Sequence, residues 1–288
     1  MAEFRNFKEE DYQAVCVFLK ELNQADKKHI NWNWARFEWM YEHPEFDKSA
    51  IGSIGLWYEH GKVVAAALYD MYFGEGFCGV LPGYMDLYGE VLTYACEHLR
   101  DESGFGFAIE DNDIEKIKAA EALGFSKADQ TENIMSCSLN GKRAYTLETG
   151  LSIKEFDPGK NPYEFAWLLW QGFDHGQDKD EFEKSDEKKP QIRPNLKKEL
   201  SLTAVNEKGD AVSYVCLWKD EETDYAYIEP VCTIPEYRGK GVAKSLLYEA
   251  FNRALDLGAK NAYVISDMDF YKRLDMDTDR HFTFYWKE

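Results

Sequence analysis

The chain of 288 residues suits two domains of about 140 residues each. Its hydrophobic fraction of 44% supplies enough apolar material for packed cores, which excludes a largely disordered chain. The net charge of −19 would repel phosphate backbones, so we expect no nucleic-acid binding and a preference for cationic partners.

The cysteines indicate a reducing compartment. They lie far apart and include no C-x-x-C pair, so we expect free thiols rather than disulfides or a structural zinc site. The histidines have no ligand-like spacing, so no metal is predicted. Residues 1–5 do not resemble a signal peptide, and no apolar run reaches the roughly 18 residues of a membrane span. We expect a soluble, cytoplasmic protein, monomeric or homodimeric, that does not bind membranes.

Two stretches, residues 59–67 and 207–215, share one pattern. Each is typical of a β-hairpin: a strand, a glycine-bearing turn and a second strand rich in Val and Ala. Residues 82–84 and 235–237 follow, and each leads into a pattern that predicts an amphipathic helix. The apolar positions at helical spacing are Val91, Leu92, Ala95, Cys96 and Leu99 in the first helix and Val242, Leu246, Leu247, Ala250, Phe251 and Leu255 in the second.

A third match pairs residues 119–125 with residues 270–276, in the same order along the chain. Three matches at an offset of about 150 residues predict two copies of one mixed α/β unit. The turn-like stretch 139–142 follows an apolar–polar run, which places the boundary there. We therefore predict one unit over residues 1–142 and a second over residues 143–288.

Two segments allow more than one interpretation. Residues 178–189 are rich in charge, which predicts a solvent-exposed loop or helix end; a mobile lid over a substrate cleft is the alternative. An aromatic run in the first half belongs either to the core or to the wall of a cleft. Its members are Trp32, Trp34, Phe37, Trp39 and Tyr41.

Residues 225–247 have the pattern of a strand, a glycine-rich turn and a helix N-terminus. Pro235 ends the strand, and Gly239 and Gly241 let the backbone approach a ligand because they carry no Cβ. The first N–H groups of the helix, together with the helix dipole, favour an anion. Basic residues in this otherwise acidic chain complete a predicted diphosphate site: Arg238, Lys240 and Lys244.

This stretch resembles motif A of the GCN5-related N-acetyltransferases, the GNAT superfamily, whose pattern is Arg/Gln-x-x-Gly-x-Gly/Ala. Arg238, Gly241 and Ala243 stand at its specified positions. The resemblance covers roughly residues 150–288 directly and the first half through the duplication. It implies an α/β (mixed α+β) fold of two tandem GNAT units, each with a mixed, mostly antiparallel central sheet flanked by helices.

In this family the loop backbone holds the pyrophosphate of acetyl-CoA, and the preceding strand lies along the pantetheine arm. A bulge separates that strand from its neighbour, and Pro230, which cannot donate a strand hydrogen bond, suits such an irregularity. We expect Cys232 to pack rather than to react. The resemblance implies that acetyl-CoA is bound by Val231, Cys232, Thr233, Arg238, Gly239, Lys240, Gly241, Val242, Ala243 and Lys244.

Acetyl transfer to an amine needs a neutral nucleophile and a proton for the departing thiolate. Tyr271 stands where the family pattern Phe/Leu-Tyr-x-x-Leu-Gly-Phe carries its general acid, with Asp275 and Met276 in place of Gly and Phe. The alternative for Tyr271 is an ordinary core tyrosine. Glu229 shares strand parity with Val231 and is the candidate base; the alternative is an edge-strand glutamate without a catalytic role.

The first half departs from these patterns. Met85 stands at the arginine position of motif A, and Tyr88 stands at a glycine position. Asp86 and Glu90 would repel a phosphate, and Ala120 replaces the general-acid tyrosine. We expect a GNAT-like copy that has lost cofactor binding and that either braces the active copy or walls the acceptor cleft.

An aromatic strip within residues 166–175 ends the first helix of the second unit, a region that borders the acceptor pocket in the family. The candidate acceptor-binding residues are Trp170, Phe173 and Asp174; the alternative is that the strip belongs to the core.

We predict an N-acetyltransferase that moves acetyl from acetyl-CoA to a primary amine by direct attack, catalysed in the second unit. The acceptor is a small-molecule amine or a lysine or N-terminal amine, and the net charge favours a cationic one. The alternative is a non-catalytic acyl-CoA-binding, sensor or interaction protein. A donor with an acyl chain longer than acetyl is a further alternative.

Overall fold

The computed structural model describes residues 2–25, 29–188 and 194–288. In these ranges the element order β-α-α-β-β-β-α-β-α-β occurs twice, which confirms the predicted duplication. The first copy comprises β1 (Glu3–Asn6), α1 (Tyr12–Ala25), α2 (Trp34–Tyr41), β2 (Gly55–Glu59), β3 (Lys62–Tyr69), β4 (Glu75–Val80), α3 (Tyr88–His98), β5 (Phe105–Glu110), α4 (Ile114–Ala122) and β6 (Ser126–Ser138). The second comprises β7 (Ser152–Glu155), α5 (Pro162–Gly172), α6 (Lys179–Lys184), β8 (Ser201–Val205), β9 (Ala211–Trp218), β10 (Tyr225–Thr233), α7 (Val242–Asp256), β11 (Asn261–Ile265), α8 (Asp269–Lys272) and β12 (Asp277–Lys287).

All these strands join in one sheet, in the order β1-β2-β3-β4-β5-β12-β6-β11-β10-β9-β8-β7. The pairs β4–β5 and β10–β11 are parallel, and the other neighbouring pairs are antiparallel. Helices α1 and α3 pack on β3, while α5 and α7 pack on β9. The predicted fold class, a mixed and mostly antiparallel sheet flanked by helices, is confirmed.

The two copies exchange their last strands. β6 ends the first copy but pairs with β11 of the second, and β12 ends the second copy but pairs with β5 of the first. β6 and β12 also pair with each other. The sheet is therefore continuous across residue 142, and we propose residues 1–142 and 143–288 as units of sequence that fold together.

Aromatic side chains fill the core beneath α1 and α2. Trp34 and Phe37 are buried, and the ring of Trp34 meets Trp218 of the second half edge-on at 5.9 Å. Trp32 stacks on Phe77 at 5.7 Å. Burial of one such aromatic ring contributes roughly 1.5–3 kcal/mol. The aromatic run of the first half is therefore mainly core, and part of it forms the contact with the second half.

Helix α7 buries the face that its apolar spacing predicts, and it also holds the chain that connects the two halves. The Asn252 side chain accepts a hydrogen bond from the N–H of Arg143 (2.7 Å) and donates one to its carbonyl (2.9 Å). The Ser245 hydroxyl donates to the carbonyl of Thr146 at 3.0 Å. The predicted positions that are fully buried on α7 are Val242, Leu246, Leu247, Ala250 and Phe251.

The charge-rich segment forms helix α6 and a short 3-10 turn at residues 186–188, while residue 189 lies outside the described residues. Asp178 caps α6 by accepting hydrogen bonds from the N–H groups of Asp180 and Glu181. Phe182 is fully buried, so the segment is anchored at that point rather than solvated throughout. The six cysteines are free thiols. None of the helices in the described ranges is both long and apolar enough to cross a bilayer.

Candidate active site

The loop between β10 and α7 turns through two left-handed glycines. Gly239 and Gly241 both have φ of +75°, a conformation that other residues rarely adopt. A Cβ on either would meet no described atom within 4 Å, so the space in front of the loop is open. The first hydrogen bond of α7 runs from the Ser245 N–H to the Gly241 carbonyl at 3.0 Å. The N–H groups of residues 242–244 therefore point into that space, where they and the helix dipole favour an anion.

Two lysines stand beside this anion site, and both are exposed. Lys240 Nζ lies 4.9 Å from the ring centroid of Tyr237. Lys244 Nζ lies 5.2 Å from that of Tyr248 and donates a 3.4 Å hydrogen bond to the Arg273 carbonyl. These contacts hold both ammonium groups at the loop, where they add positive potential for an anion.

Arg238 has partners within the protein. Its Nε donates to the Thr233 carbonyl and its Nη2 to the Gly172 carbonyl, each at 2.9 Å. Its Nη1 forms a 2.9 Å ion pair with Asp174. The guanidinium thus connects the end of β10 and the end of α5 to the glycine loop. Its contacts are with the protein, so Arg238 supports the loop that forms the anion site.

Strands β10 and β11 separate next to this loop. Their pairing ends where Tyr227 lies opposite Tyr263, although both strands continue beyond that point. On its other edge β10 pairs with β9, and the register shifts between Ile228 and Val231. The irregularity that Pro230 predicts is therefore confirmed. The resemblance implies that β10 contacts the pantetheine arm, and one edge of this strand faces the gap.

Glu229 and Tyr271, the candidate base and acid, act on each other across this gap. The Glu229 carbonyl accepts a hydrogen bond from the Trp218 indole at 2.6 Å, and burial, followed by the charge of Glu229, raises the pKa of Tyr227. Burial, and then the charge of Glu229, raises the pKa of Tyr271. The Tyr271 phenol therefore stays protonated at neutral pH, as a proton donor must.

The turn after α8 keeps its shape although it departs from the family pattern. Asp275, at the glycine position, has φ of +59°, and its counterpart Gly124 in the first half has φ of +89°. Aspartate tolerates this left-handed conformation better than most residues do. Met276 is buried in the place where the first half buries Phe125. The substitutions therefore leave the turn that holds Tyr271 in place.

The first half contributes charged residues to this region that sequence reasoning missed. Arg36 on α2 forms ion pairs of 3.3 Å with Asp70 and with Glu132. Arg36 also acts electrostatically on Tyr227 and Glu229. No sequence motif could have found this group, because its members come from three separate segments of the first half.

The aromatic strip after α5 divides between two environments. The Trp170 ring stacks on His175 at 5.0 Å and meets Phe182 of α6 at 5.6 Å, so it packs between helices. Phe173 and Asp174 are exposed beside the glycine loop. The strip is thus partly a small core and partly surface next to the anion site.

The first half has no comparable loop before α3. Residues 84–90, which the structure describes in full, include none with positive φ. Tyr88 is buried, and the Glu90 carboxylate in the first turn of α3 accepts a 2.8 Å hydrogen bond from the Trp57 indole. A carboxylate at this position repels the phosphate that a helix N-terminus would otherwise attract. These features agree with the expected loss of cofactor binding.

Part of the second half, and the fold of the whole chain, are similar to known proteins. Residues 163–276 match the model of the acetyltransferase (GNAT) family. The whole chain is similar in fold to a tandem GNAT protein from the clavulanic acid biosynthesis pathway, at 14% identity and a TM-score of 0.64, over 100% of this chain and 98% of that one. The second half thus contains a region that matches the GNAT family, and the whole chain has the fold of a tandem GNAT protein.

Other solved structures share the GNAT fold. One is a GCN5-related N-acetyltransferase from Sphaerobacter thermophilus, at 17% identity and a TM-score of 0.58, over 100% of this chain and 95% of that one. Another is the Saccharomyces cerevisiae N-myristoyltransferase with bound myristoyl-CoA and inhibitors, at 14% identity and a TM-score of 0.55, over 99% and 79%. A search of curated protein sequences returned no match.

The chain therefore has the fold of acyl-CoA-dependent N-acyltransferases. Among the described residues, no group of three or more His, Cys, Asp or Glu side chains is arranged to hold a metal ion.

Proposed function

We propose that the second unit of this chain transfers an acetyl group from acetyl-CoA to a primary amine. One observation carries the proposal: the open glycine loop at the start of α7 lies next to the gap between β10 and β11, where Glu229 and Tyr271 act on each other. The first half has neither the loop nor a tyrosine at the position of Tyr271, so we assign the reaction to the second unit.

The residues at the gap fit an acyl-CoA. The N–H groups of residues 242–244, with Lys240 and Lys244, would receive the pyrophosphate. The strand segment 231–233 would lie along the pantetheine arm, because its free edge faces away from β9. Arg238 would hold the loop against that segment through its hydrogen bond to the Thr233 carbonyl.

Cys232 does not provide a nucleophile in this proposal. A Cβ on Gly172 would lie 2.7 Å from the Cys232 sulfur, so the thiol faces α5 closely. Burial raises the pKa of Cys232 to about 12, which keeps the thiol protonated at neutral pH. Direct attack by the amine, without an acyl-enzyme, is therefore the favoured route.

Acetyl-CoA supplies the acetyl group as an activated thioester. Glu229 takes a proton from the ammonium form of the acceptor and leaves a lone pair on the nitrogen. The nitrogen bonds to the carbonyl carbon while the carbon–sulfur bond breaks, and the electron pair stays on sulfur. Tyr271 gives its phenolic proton to the sulfur and regains one from the nitrogen as the amide forms. The products are the N-acetylated amine, the CoA thiol and one proton that Glu229 releases to water.

Carboxylates around Arg36, on the side of the first half that packs against β10, favour a cationic acceptor. Asp70 and Glu132 outnumber the Arg36 with which they pair. Burial, and the charges of Asp70 and Glu132, raise the pKa of Glu75 beside them. Such a surplus of negative charge attracts a positively charged amine. We further propose that the acceptor contacts Trp170, Phe173 and Asp174.

Calorimetric titration with acetyl-CoA is the first test, and we expect one site per chain. Two sites would contradict the loss of binding in the first half, and no binding would overturn the proposal. Titration with myristoyl-CoA then compares a long acyl donor with acetyl.

Release of CoA thiol in the presence of single amines is the second test. We expect turnover of spermidine or lysine to exceed that of aspartate or a neutral amine of similar size. The reverse order of turnover would contradict the proposed preference for a cationic acceptor. Tight binding of acetyl-CoA without turnover of any amine would favour the non-catalytic alternative.

A further inference from the structure

A groove on the first half lies between helix α3 and the strands β1 and β2. Its volume is about 570 Å³. Phe4 and Trp57 line it from the strands, and Glu90, Tyr94 and Glu97 line it from the helix. Among the described residues that form its walls there is no lysine or arginine. The proposed acyl transfer involves none of these residues.

Phe4 is the exposed aromatic ring of this groove. It is 43% exposed, although the ring packs on Trp57 at 5.1 Å and on Tyr94 at 4.9 Å. The Tyr94 hydroxyl donates to the Ser53 carbonyl at 3.0 Å and accepts a 2.7 Å hydrogen bond from the Asn6 side chain, so this supporting ring is fixed. An aromatic ring that is held in place and yet exposed can bind an apolar or a cationic side chain.

Glu90 and Glu97 give the groove a negative charge. Both lie on one face of α3, two helical turns apart, and both are exposed. The Trp57 indole donates to the Glu90 carboxylate at 2.8 Å, which fixes that carboxylate in the groove. Two carboxylates beside an exposed ring, without a basic residue in the described walls, favour a cationic occupant.

The internal duplication provides a counterpart of this groove on α7. The two helices match in the spacing of their buried positions, which are Val91, Leu92 and Ala95 in α3 and Leu246, Leu247 and Ala250 in α7. The same match pairs the helical residues of the groove with residues of α7: Glu90 with Ser245, Tyr94 with Glu249 and Glu97 with Asn252. The corresponding face of α7 therefore shows what such a surface can hold.

Residues 143–146, which have no regular secondary structure, cover that face of α7. The Asn252 side chain accepts a hydrogen bond from the N–H of Arg143 at 2.7 Å and donates one to its carbonyl at 2.9 Å. The Ser245 hydroxyl donates to the carbonyl of Thr146 at 3.0 Å. The second half thus holds a chain segment on this face through the main-chain groups of that segment.

The same segment places a basic side chain on aromatic rings. The Arg143 guanidinium lies 5.2 Å from the ring centroid of Tyr248 and 4.9 Å from that of Phe251. The Tyr145 hydroxyl donates to the Glu249 carboxylate at 3.0 Å. A peptide segment with an arginine therefore occupies, in the second half, the position that corresponds to the groove in the first.

We propose that the groove on α3 binds an extended segment of a partner protein and takes a lysine or arginine side chain over Phe4. Glu97 can accept a peptide N–H, as the Asn252 side chain does from Arg143, or pair with the basic side chain. A second copy of this chain is disfavoured as the occupant, because its net charge of −19 would be repelled by the carboxylates of the groove. This docking surface lies outside the proposed catalytic site and does not depend on the proposed function.

Fluorescence polarisation with the full chain and labelled peptides tests the proposal. The probes are octapeptides in which alanine alternates with lysine, glutamine or glutamate, at about 0.15 M salt. We expect the lysine peptide to bind at least about tenfold more tightly than the glutamine peptide, and the glutamate peptide to bind most weakly. Equal affinities for the three peptides, or no binding of the lysine peptide at about 1 mM, would overturn the proposal.

Competition with spermidine separates a peptide from a free polycation. Spermidine carries positive charges but no peptide groups, so it cannot make the main-chain contacts that residues 143–146 make on α7. We expect spermidine to compete with the lysine peptide at least about tenfold more weakly than the unlabelled peptide does. Equal competition would show that the surface attracts cations in general, and would overturn the assignment of a peptide.

Glu97→Lys tests the charge of the groove, and Glu207→Lys is its matched control. Glu207 is equally exposed, lies in the turn between β8 and β9, and changes the net charge of the chain by the same amount. We expect Glu97→Lys to weaken binding of the lysine peptide about tenfold, and Glu207→Lys to weaken it less than about threefold. Equal losses would mean that the peptide responds only to the overall charge, which would overturn the proposal.

Phe4→Leu tests the aromatic ring while it keeps an apolar side chain at an exposed position. We expect affinity for the lysine peptide to fall about three- to fivefold. Tyr72→Leu is the control, since Tyr72 is an aromatic residue of the first half that is 57% exposed and does not line the groove. An unchanged affinity in Phe4→Leu, or an equal loss in both variants, would contradict binding over Phe4.

Backbone amide NMR of the full chain locates the peptide. We expect the lysine peptide to shift the resonances of residues 3–6 and 89–97, and saturation with acetyl-CoA to leave these shifts in place. Shifts confined to residues 229–244 would place the peptide in the proposed catalytic site and overturn the docking surface. Failure of the chain to turn over any amine would overturn the proposed function and leave shifts in α3 as evidence for the docking surface.

Discussion

Arg238 and Asp174 form an ion pair of 2.9 Å that joins the glycine loop to the end of α5. The resemblance had implied a cofactor contact for the arginine and an acceptor contact for the aspartate, and the structure places the two side chains against each other. The same guanidinium donates to the carbonyls of Thr233 and Gly172. A change at Asp174 can therefore act on the glycine loop through the Arg238 side chain.

The two partners of this pair should differ in their effect on acetyl-CoA binding. The Arg238 and Asp174 side chains are 41% and 64% exposed, and an exposed ion pair contributes only about 0–1 kcal/mol. We expect Asp174→Asn to weaken acetyl-CoA binding less than about threefold. Arg238→Ala also loses both carbonyl contacts, so we expect a loss of about tenfold or more. Calorimetric titration measures both, and equal losses would contradict this assignment.

Gly241→Ala should abolish acetyl-CoA binding, and Gly258→Ala is its control at the other end of α7. Both glycines have positive φ, +75° and +86°, and open space at the Cβ position. Each alanine should lower the free energy of unfolding by about 1–2 kcal/mol because of backbone strain. Only Gly241→Ala changes the loop that would receive the pyrophosphate. Thermal unfolding and titration with acetyl-CoA measure the two effects, and a matching loss of affinity in Gly258→Ala would count against the anion site.

Tyr271→Phe should lower kcat by about a hundredfold and leave the Kd for acetyl-CoA within about twofold, because it removes only the proton donor. Tyr285→Phe on β12 is the control, since Tyr285 is also buried but lies outside the group around Glu229 described above. Steady-state kinetics with spermidine and a direct titration provide the two values. A Tyr271→Phe enzyme with unchanged kcat would show that Tyr271 is a core residue.

His29 should make stability depend on pH below neutrality. Burial lowers the pKa of His29 from 6.5 to about 4, against smaller opposing effects of Asp279 and Asn261. The folded state therefore binds this proton less readily than the unfolded chain, so stability is full above pH 6.5 and falls as the pH drops toward 4. The upper limit of the loss is about 3 kcal/mol.

The measurement for His29 is urea unfolding between pH 4 and pH 7 in the wild type and in His29→Phe. Phenylalanine keeps a ring to stack on Tyr263, which His29 meets at 3.9 Å, and cannot take up a proton. We expect the variant to lose less stability than the wild type over this range. Parallel curves would exclude a contribution from His29.

Much of the fold and of the anion site could be predicted because the evidence was local. The hairpins, the paired helices and the glycine loop follow from apolar spacing, from Pro235 and from two glycines that permit left-handed backbone. The burial of the predicted face of α7 follows from the same spacing. The sequence did not predict the left-handed backbone of Asp275, because a residue other than glycine does not by itself indicate a positive φ.

The amino-acid order alone thus specified the duplicated unit, its mixed sheet and the glycine loop before α7, since each depends on residues close together in the chain. Tertiary structure decided the exchange of β6 and β12, because either strand can offer the same backbone hydrogen bonds to β5 or to β11. It also decided which charged residues of the first half meet. Arg36, Asp70 and Glu132 come from three separate segments of the first half and meet in ion pairs of 3.3 Å, a proximity that separation along the chain does not reveal.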